Sequence, residues 1–184
     1  MTDRRQHILD TALSVLREQG LGGFTQPRIA HRSGLRQSHL TYYYPTRLDL
    51  LAATAEAATD ALLAELAGTL DGRSLQSVAA SIARLALRPD NTRVMMALAE
   101  SADTEPSIKA IFRRLASGIA QRSATVLAVG RSDLNPDHLL ILHGLAVGLA
   151  VVNLATGDRN GEGQEHAARL LEIVLRQLFP EAER

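Results

Sequence analysis

TQPRIAHRSGLRQSHLTYYYPTR, residues 25–47, reads as two short helices around a tight turn, with a third helix beginning at its end. The Thr25 hydroxyl is placed to cap the free N–H groups of the first helix. Pro27 falls in the first turn, where its missing N–H costs little. Ile29 and Ala30 face inward, and Ser33-Gly34 ends the helix. Gly34 suits a left-handed turn residue, with Leu35 plugging the core beneath it. The second helix runs from Gln37 to Tyr43. Leu40 and Tyr43 stand three apart and share its buried side. Gln37, Ser38, His39, Thr41 and Tyr42 spread over the remaining surface, and Pro45 stops the helix. All three tyrosines of the chain sit at 42, 43 and 44, although aromatics make up only 3% of its residues.

A small residue at Ala30, glycine four positions later, then Leu35 and Leu40, is a helix-turn-helix pattern. A second helix rich in Gln, Ser, His, Thr and Tyr suits a recognition helix in a major groove. The bland alternative is an ordinary helical hairpin. The third helix opens on Thr46 and Asp49, a capping-box spacing. Arg47 lies in its first turn, at the positive end of the helix dipole, an arrangement unfavourable by roughly 0.3–1 kcal/mol. A bound anion would reverse that sign, and a DNA phosphate is the natural one. A solvated surface arginine is the alternative.

With these residues in view, the N-terminal part resembles the DNA-binding domain of the TetR family of transcriptional regulators. The resemblance is carried by Ile8, Ala12, Gly20, Thr25, Ile29, Ala30, Gly34, Leu40, Tyr42, Pro45, Arg47 and Leu50. It covers about the first 50 residues; beyond them only length and helical pattern agree. Three positions depart from the family habit. Arg36 stands where Ser often opens the recognition helix, and Thr41 where a Tyr usually follows the leucine. Tyr44 and Arg47 replace the common Phe-x-x-Lys. The resemblance implies an all-α chain, with a helix-turn-helix domain over residues 1–46 and a helical ligand-binding and dimerisation domain over 47–184. It further implies that the last two helices build an intersubunit four-helix bundle.

Charge agrees with a DNA-binding N-terminus. The 184 residues carry formal net charge zero, but residues 1–50 hold seven Arg against four acids. The rest holds 13 basic and 16 acidic residues. The basic end is the expected DNA end. The absence of cysteine excludes disulfides and fits a cytoplasmic setting, as does an N-terminus, MTDRRQHILD, without an apolar signal core.

Elsewhere the chain reads as helix after helix. Residues 4–19 place Ile8, Leu9, Ala12, Leu13, Val15 and Leu16 inward at spacings of 3 to 4, and Gly20 closes the helix before a Gly22-Gly23 link. A long helix runs from Arg47 to about Leu70, and Asp71-Gly72 breaks it. Leu75 to Leu87 follows, with Val78, Ile82, Leu85 and Ala86 inward. Pro89-Asp90-Asn91 reads as a second break, before helices over Thr92–Ala102 and Glu105–Val129. Gly130 to Pro136 reads as a loop. Pro136 to Thr156 approaches membrane-spanning length. His143 and Asn153 interrupt it, however, and no close positive charge flanks it, so a buried helix is expected. Gly144 and Gly148, like Ala146 and Ala150, stand four apart, a spacing that admits another helix. The final helix, Gln164–Phe179, gathers Ala167, Leu170, Leu171, Val174, Leu175 and Leu178 on one face.

No catalytic or metal-ligating constellation appears, so an enzyme on a helical scaffold is disfavoured; no cofactor is expected. The leading reading is a homodimeric, ligand-responsive repressor of a pseudo-palindromic DNA operator. A ligand-independent DNA-binding protein with a purely dimerising C-terminal domain is the alternative. Thr25, Tyr42 and Arg47 are the candidate phosphate contacts. Arg36, Gln37, Ser38 and His39, with Thr41 beside them, are the candidate readers of base edges. A mostly apolar effector would be lined by Met95, Met96 and Phe112, with His143 and Asn153 as polar handles. Gly144, Gly148, Val152, Leu171 and Val174 are the candidate dimer interface.

Overall fold

The computed structural model describes residues 4–69, 74–127, 135–157 and 162–179. Among them every regular element is a helix: α1 (Arg4–Gly23), α2 (Gln26–Arg32), α3 (Gln37–Tyr43), α4 (Arg47–Thr69), α5 (Leu75–Ala86), α6 (Pro89–Thr104), α7 (Pro106–Leu127), α8 (Pro136–Thr156) and α9 (Glu162–Leu178). The breaks expected at Asp71-Gly72 and over residues 130–134 lie outside the described residues.

The chain divides into two units. The first takes residues 1–62 and 93–115, the second 63–92 and 116–184. In the first, Ile8, Ala12, Val15 and Leu16 of α1 are buried with Phe24, Ile29, Ala30, Leu40, Tyr44, Leu50 and Leu51. The helical spacing of the α1 set explains why one face disappears. At Gly20 the backbone turns to φ 64°, ψ −164°, which glycine adopts without strain, and one further turn runs to Gly23. The expected Gly22-Gly23 link is therefore helical. Arg93 of α6 donates to the Arg17 carbonyl at 3.0 Å. Arg114 of α7 reaches Asp60 of α4 at 2.9 Å and also pairs with Glu56.

In the second unit α5 packs on α9, and α8 packs on both. Leu75, Val78, Ala79, Ala83 and Leu85 of α5 meet Leu142 and Ala146 of α8 and Ala167, Leu171 and Leu175 of α9, with Phe179 beside them. Ser74 caps α5 by accepting the Ser77 N–H. Two sequence expectations change here. Pro89 opens α6 instead of interrupting the chain. Its fixed φ and missing N–H suit a first turn, so the break falls earlier, at Leu87-Arg88. Asn91 and Thr92 then donate their side chains to the Leu85 and Ala86 carbonyls at the end of α5.

The second change concerns α8. By length and composition it could cross a membrane, whereas its interrupting polar residues predict a buried helix. Within the protomer only Leu142, Ala146 and Ala150 are buried along it. Leu140, Ile141 and Val152 are exposed, at 69%, 51% and 59%. The hydrophobic character goes all the way round the helix, but its own unit covers one side.

Candidate nucleic-acid interface

The turn between α2 and α3 is built from backbone bonds. The Leu35 N–H donates to the Ala30 carbonyl at 2.9 Å and the Gly34 N–H to that of His31 at 3.2 Å. This double closure needs a left-handed residue, supplied by Gly34 at φ 67°. His7 of α1 donates its Nε2 to the Ser33 carbonyl at 3.2 Å and pins the turn from behind. Leu35 is half-buried and Leu40 fully buried beneath it.

The tyrosines differ from expectation. Tyr44, four residues after Leu40, is the buried one, and Tyr43 is half-buried. Residues at i and i+4 share a helix face as readily as those at i and i+3. Arg5 stands over the Tyr44 ring at 5.8 Å, a cation–π contact. The Tyr44 carbonyl accepts from Gln26 at 2.8 Å. Tyr42 is 81% exposed and meets Tyr43 edge to face, with ring centroids 5.3 Å apart.

The outward surface of α3 carries Gln37, Ser38, His39 and Tyr42, all exposed, with exposed Arg36 as the extended residue before the helix. Thr41 is half-buried, and its hydroxyl turns back on the Gln37 and Ser38 carbonyls, at 3.1 and 3.2 Å. Thr25 occupies the cap position of α2 in extended conformation, but its side chain makes no capping bond. This corrects the expectation of a hydroxyl cap: the exposed hydroxyl is left for another partner.

The capping box at the start of α4 is present in full. The Asp49 N–H donates to Thr46 Oγ1 at 3.0 Å, and the Thr46 N–H to the Asp49 carboxylate at 2.9 Å. Arg47 is exposed, yet its guanidinium is engaged. Nε donates to the Phe24 carbonyl at 2.7 Å and Nη2 to the Leu21 carbonyl at 3.1 Å. Arg28 braces the same corner, donating to the Gly23 carbonyl at 3.0 Å and to Gln19 at 2.7 Å. Nearby, Arg32 forks onto Glu18, at 2.6 and 2.8 Å. Hydrogen bonds from Arg32 and then Ser14 hold the pKa of the Glu18 carboxyl down at about 2. Neither His7 nor Arg28 stands out in the sequence, because their partners are backbone carbonyls that no spacing rule identifies.

The candidate effector residues fall in different units. Met95 and Phe112 are half-buried and Met96 is exposed, all in the first unit. His143 and Asn153 belong to the second. Asn153 donates to the Leu87 carbonyl at 3.4 Å. His143 is half-buried, and burial pushes its pKa below 6.5. Of the candidate interface residues, Gly144, Gly148 and Val152 face outward and Val174 is half-buried. Leu171 is fully buried in the core of its own unit, so it is corrected from interface to core; Ile173, 58% exposed, holds the outward position on α9.

An α2–α3 pair anchored by Ile29, Ala30 and Leu40, with a polar α3 face and a basic surround, is an all-α helix-turn-helix of the DNA-binding kind. Residues 8–54 match the family model for bacterial regulatory proteins of the tetR family. The match spans the helix-turn-helix region, from α1 to the first turns of α4. No curated protein matches by sequence. The fold is similar to that of a transcriptional regulator from Rhodococcus sp. Rha1, with TM-score 0.81, 21% identity, and 95% of each chain covered. A TetR transcription regulator from Haloarcula marismortui gives TM-score 0.79 at 19% identity, over 97% of this chain and 99% of that one. A transcriptional regulator from Saccharomonospora viridis in complex with choline gives 0.71 at 21%, over 96% and 97%.

Proposed function

We propose that the protein is a homodimeric, cytoplasmic repressor that leaves a pseudo-palindromic DNA operator when a small molecule binds. The observation that carries the DNA reading is the face of α3: Gln37, Ser38, His39 and Tyr42 point outward while Leu40 anchors the helix from within. Thr25 and Tyr42 would bind phosphates, and Arg36, Gln37, Ser38 and His39 would meet base edges, with Thr41 supporting from the helix side. Residues 1–46 serve as the DNA-binding domain, and 47–184 bind effector and dimerise.

Dimerisation is supported by the outward stripe of α8. A Cβ added at Gly144 or Gly148 would meet no atom within 4 Å, so packing within the protomer does not require glycine there. A helix from a second copy would use that space, with Ile141, Val152 and Ile173 around it.

Effector response is supported by the choline complex of the similar regulator, which concerns that protein's own ligand. In the first unit the candidate lining is Met95, Met96 and Phe112. Thr59 of α4 joins them as a candidate: it is buried and its hydroxyl meets no hydrogen-bond partner. His143 and Asn153 are the candidate polar handles of the second unit. The helix from Arg47 to Thr69 is continuous and would act as the lever. A 100-fold loss of operator affinity requires about 2.7 kcal/mol of preference for the released state. The test is a screen of lipids, drugs and metabolites for compounds that raise Tm and release operator DNA. Operator must in turn weaken such a compound's binding by the same factor. If every compound that binds leaves operator affinity unchanged, the ligand-independent reading replaces this one.

A further inference from the structure

The sequence places Arg47 as a cation at the wrong end of α4. The structure gives it a different environment. Its guanidinium is directed across 26 and 23 positions of chain to the Leu21 and Phe24 carbonyls, in the corner where α1 ends. The first belongs to the last turn of α1, where it also accepts the Phe24 N–H at 3.2 Å, and the second to the residue just after the helix; a cation is favourable at such a C-terminal end. Arg28 holds the Gly23 carbonyl between them, and the corner favours glycine: a Cβ at Gly23 would overlap Gln19 Cβ and stand 2.8 Å from Gln19 Oε1 and 3.1 Å from Arg28 Nη1. The next residue after this braced corner is Thr25, which begins α2 with its hydroxyl uncommitted.

We propose that Arg47 is a positioning residue, not a phosphate contact: it locks the first turn of α4 to the Leu21–Phe24 corner and so sets Thr25 and α2 against the DNA. Two features single out arginine. Nε and Nη2 satisfy two carbonyls at once, a fork that a lysine ammonium does not reproduce. The same bonds join the connecting helix to the end of α1, so a displacement of α4 at its first turn moves the corner with it. The proposal rests on the DNA-binding reading.

Thermal unfolding and binding to a DNA duplex over a range of salt concentrations, on the full chain, test it with R47A and R47K. Wild type is measured first: failure to bind any duplex at low salt would remove the DNA-binding reading itself, before any variant is compared. Both variants are expected to lower Tm by about 3–6 °C. At temperatures where all three proteins are folded, both are expected to lose about tenfold in affinity while the slope of log K against log salt stays at the wild-type value. A phosphate-binding arginine gives another pattern: R47A would flatten the slope by about 0.9 for each phosphate no longer neutralised, and R47K would restore it. That result overturns the proposal. So does a lowered Tm with unchanged affinity, which would make Arg47 structural only, and so does no change in either quantity.

Discussion

The helix-turn-helix region and the α8–α9 region are held together in different ways. The first is cross-braced by polar bonds between distant segments: His7 to Ser33, Arg28 to Gly23, Arg32 to Glu18, Gln26 to Tyr44 and Arg47 to Leu21 and Phe24. Each fixes direction as well as distance, so the face of α3 is set within one protomer. The α8–α9 region relies on Leu, Ala and Phe packing, which is non-directional, and leaves an apolar stripe uncovered on α8. One region holds its polar face fixed within the protomer; the other leaves apolar surface uncovered within the protomer.

One leucine from each region should separate them most strongly. Leu40→Ala removes a fully buried side chain under α3 and should destabilise by about 2–5 kcal/mol, lowering Tm by about 5–15 °C. Leu140→Ala, on the outer face of α8, should change protomer stability by no more than about 0.5 kcal/mol. Thermal unfolding at a concentration low enough for monomer reads both; equal losses would erase the contrast.

Next in size is association. If α8 is the interface as proposed, Gly148→Leu should weaken the dimer at least about tenfold, roughly 1.4 kcal/mol, because a side chain then enters the open space beside this glycine. Sedimentation equilibrium measures it, and an unchanged constant would take this stripe out of the interface. The DNA face should divide by role. Tyr42→Phe should weaken all duplexes alike by several-fold, since phosphates carry no sequence. Gln37→Ala should alter which base is preferred, by about 1–3 kcal/mol at one position. A selection from random duplexes with each variant would expose a reversal of these roles.

The smallest effects are in pH, and the two regions have separate windows. The Glu18 carboxyl is lowered to about 2 in the folded protein against an ordinary 4.5, so its contribution is complete above 4.5 and is lost as pH falls towards 2. Glu18→Gln should flatten that limb of the stability profile. His143 is depressed below 6.5, so the unfolded chain takes up the proton first and stability falls as pH drops through 6.5. His143→Gln should flatten this second limb alone.

The residues legible in sequence are those whose partners are close in the chain. Gly34 closes its turn with Ala30 and His31, and Asp49 with Thr46, and α8 begins and ends at the expected Pro136 and Thr156. What sequence could not supply came from distance. Arg47 looks like a cation facing its own helix dipole because its carbonyl partners belong to α1. Tyr44 exceeds Tyr43 in burial, and its ring lies under Arg5 of α1, 39 positions away. The spacing puts Leu171 on the apolar face of α9, and only the packing of α5 tells that this face meets its own unit. Pro89 is ambiguous for a local reason, since proline marks helix starts as well as breaks.

Repression as proposed requires a dimer presenting two preset α3 faces to one DNA molecule. Selection from a random duplex pool, followed by stoichiometry on the enriched sequence, measures that directly. The expected product is an inverted repeat whose half-sites are separated by roughly 34–36 Å or a multiple of it, bound by an even number of protomers. A single half-site bound by one protomer, or a pool with no enrichment, would contradict it.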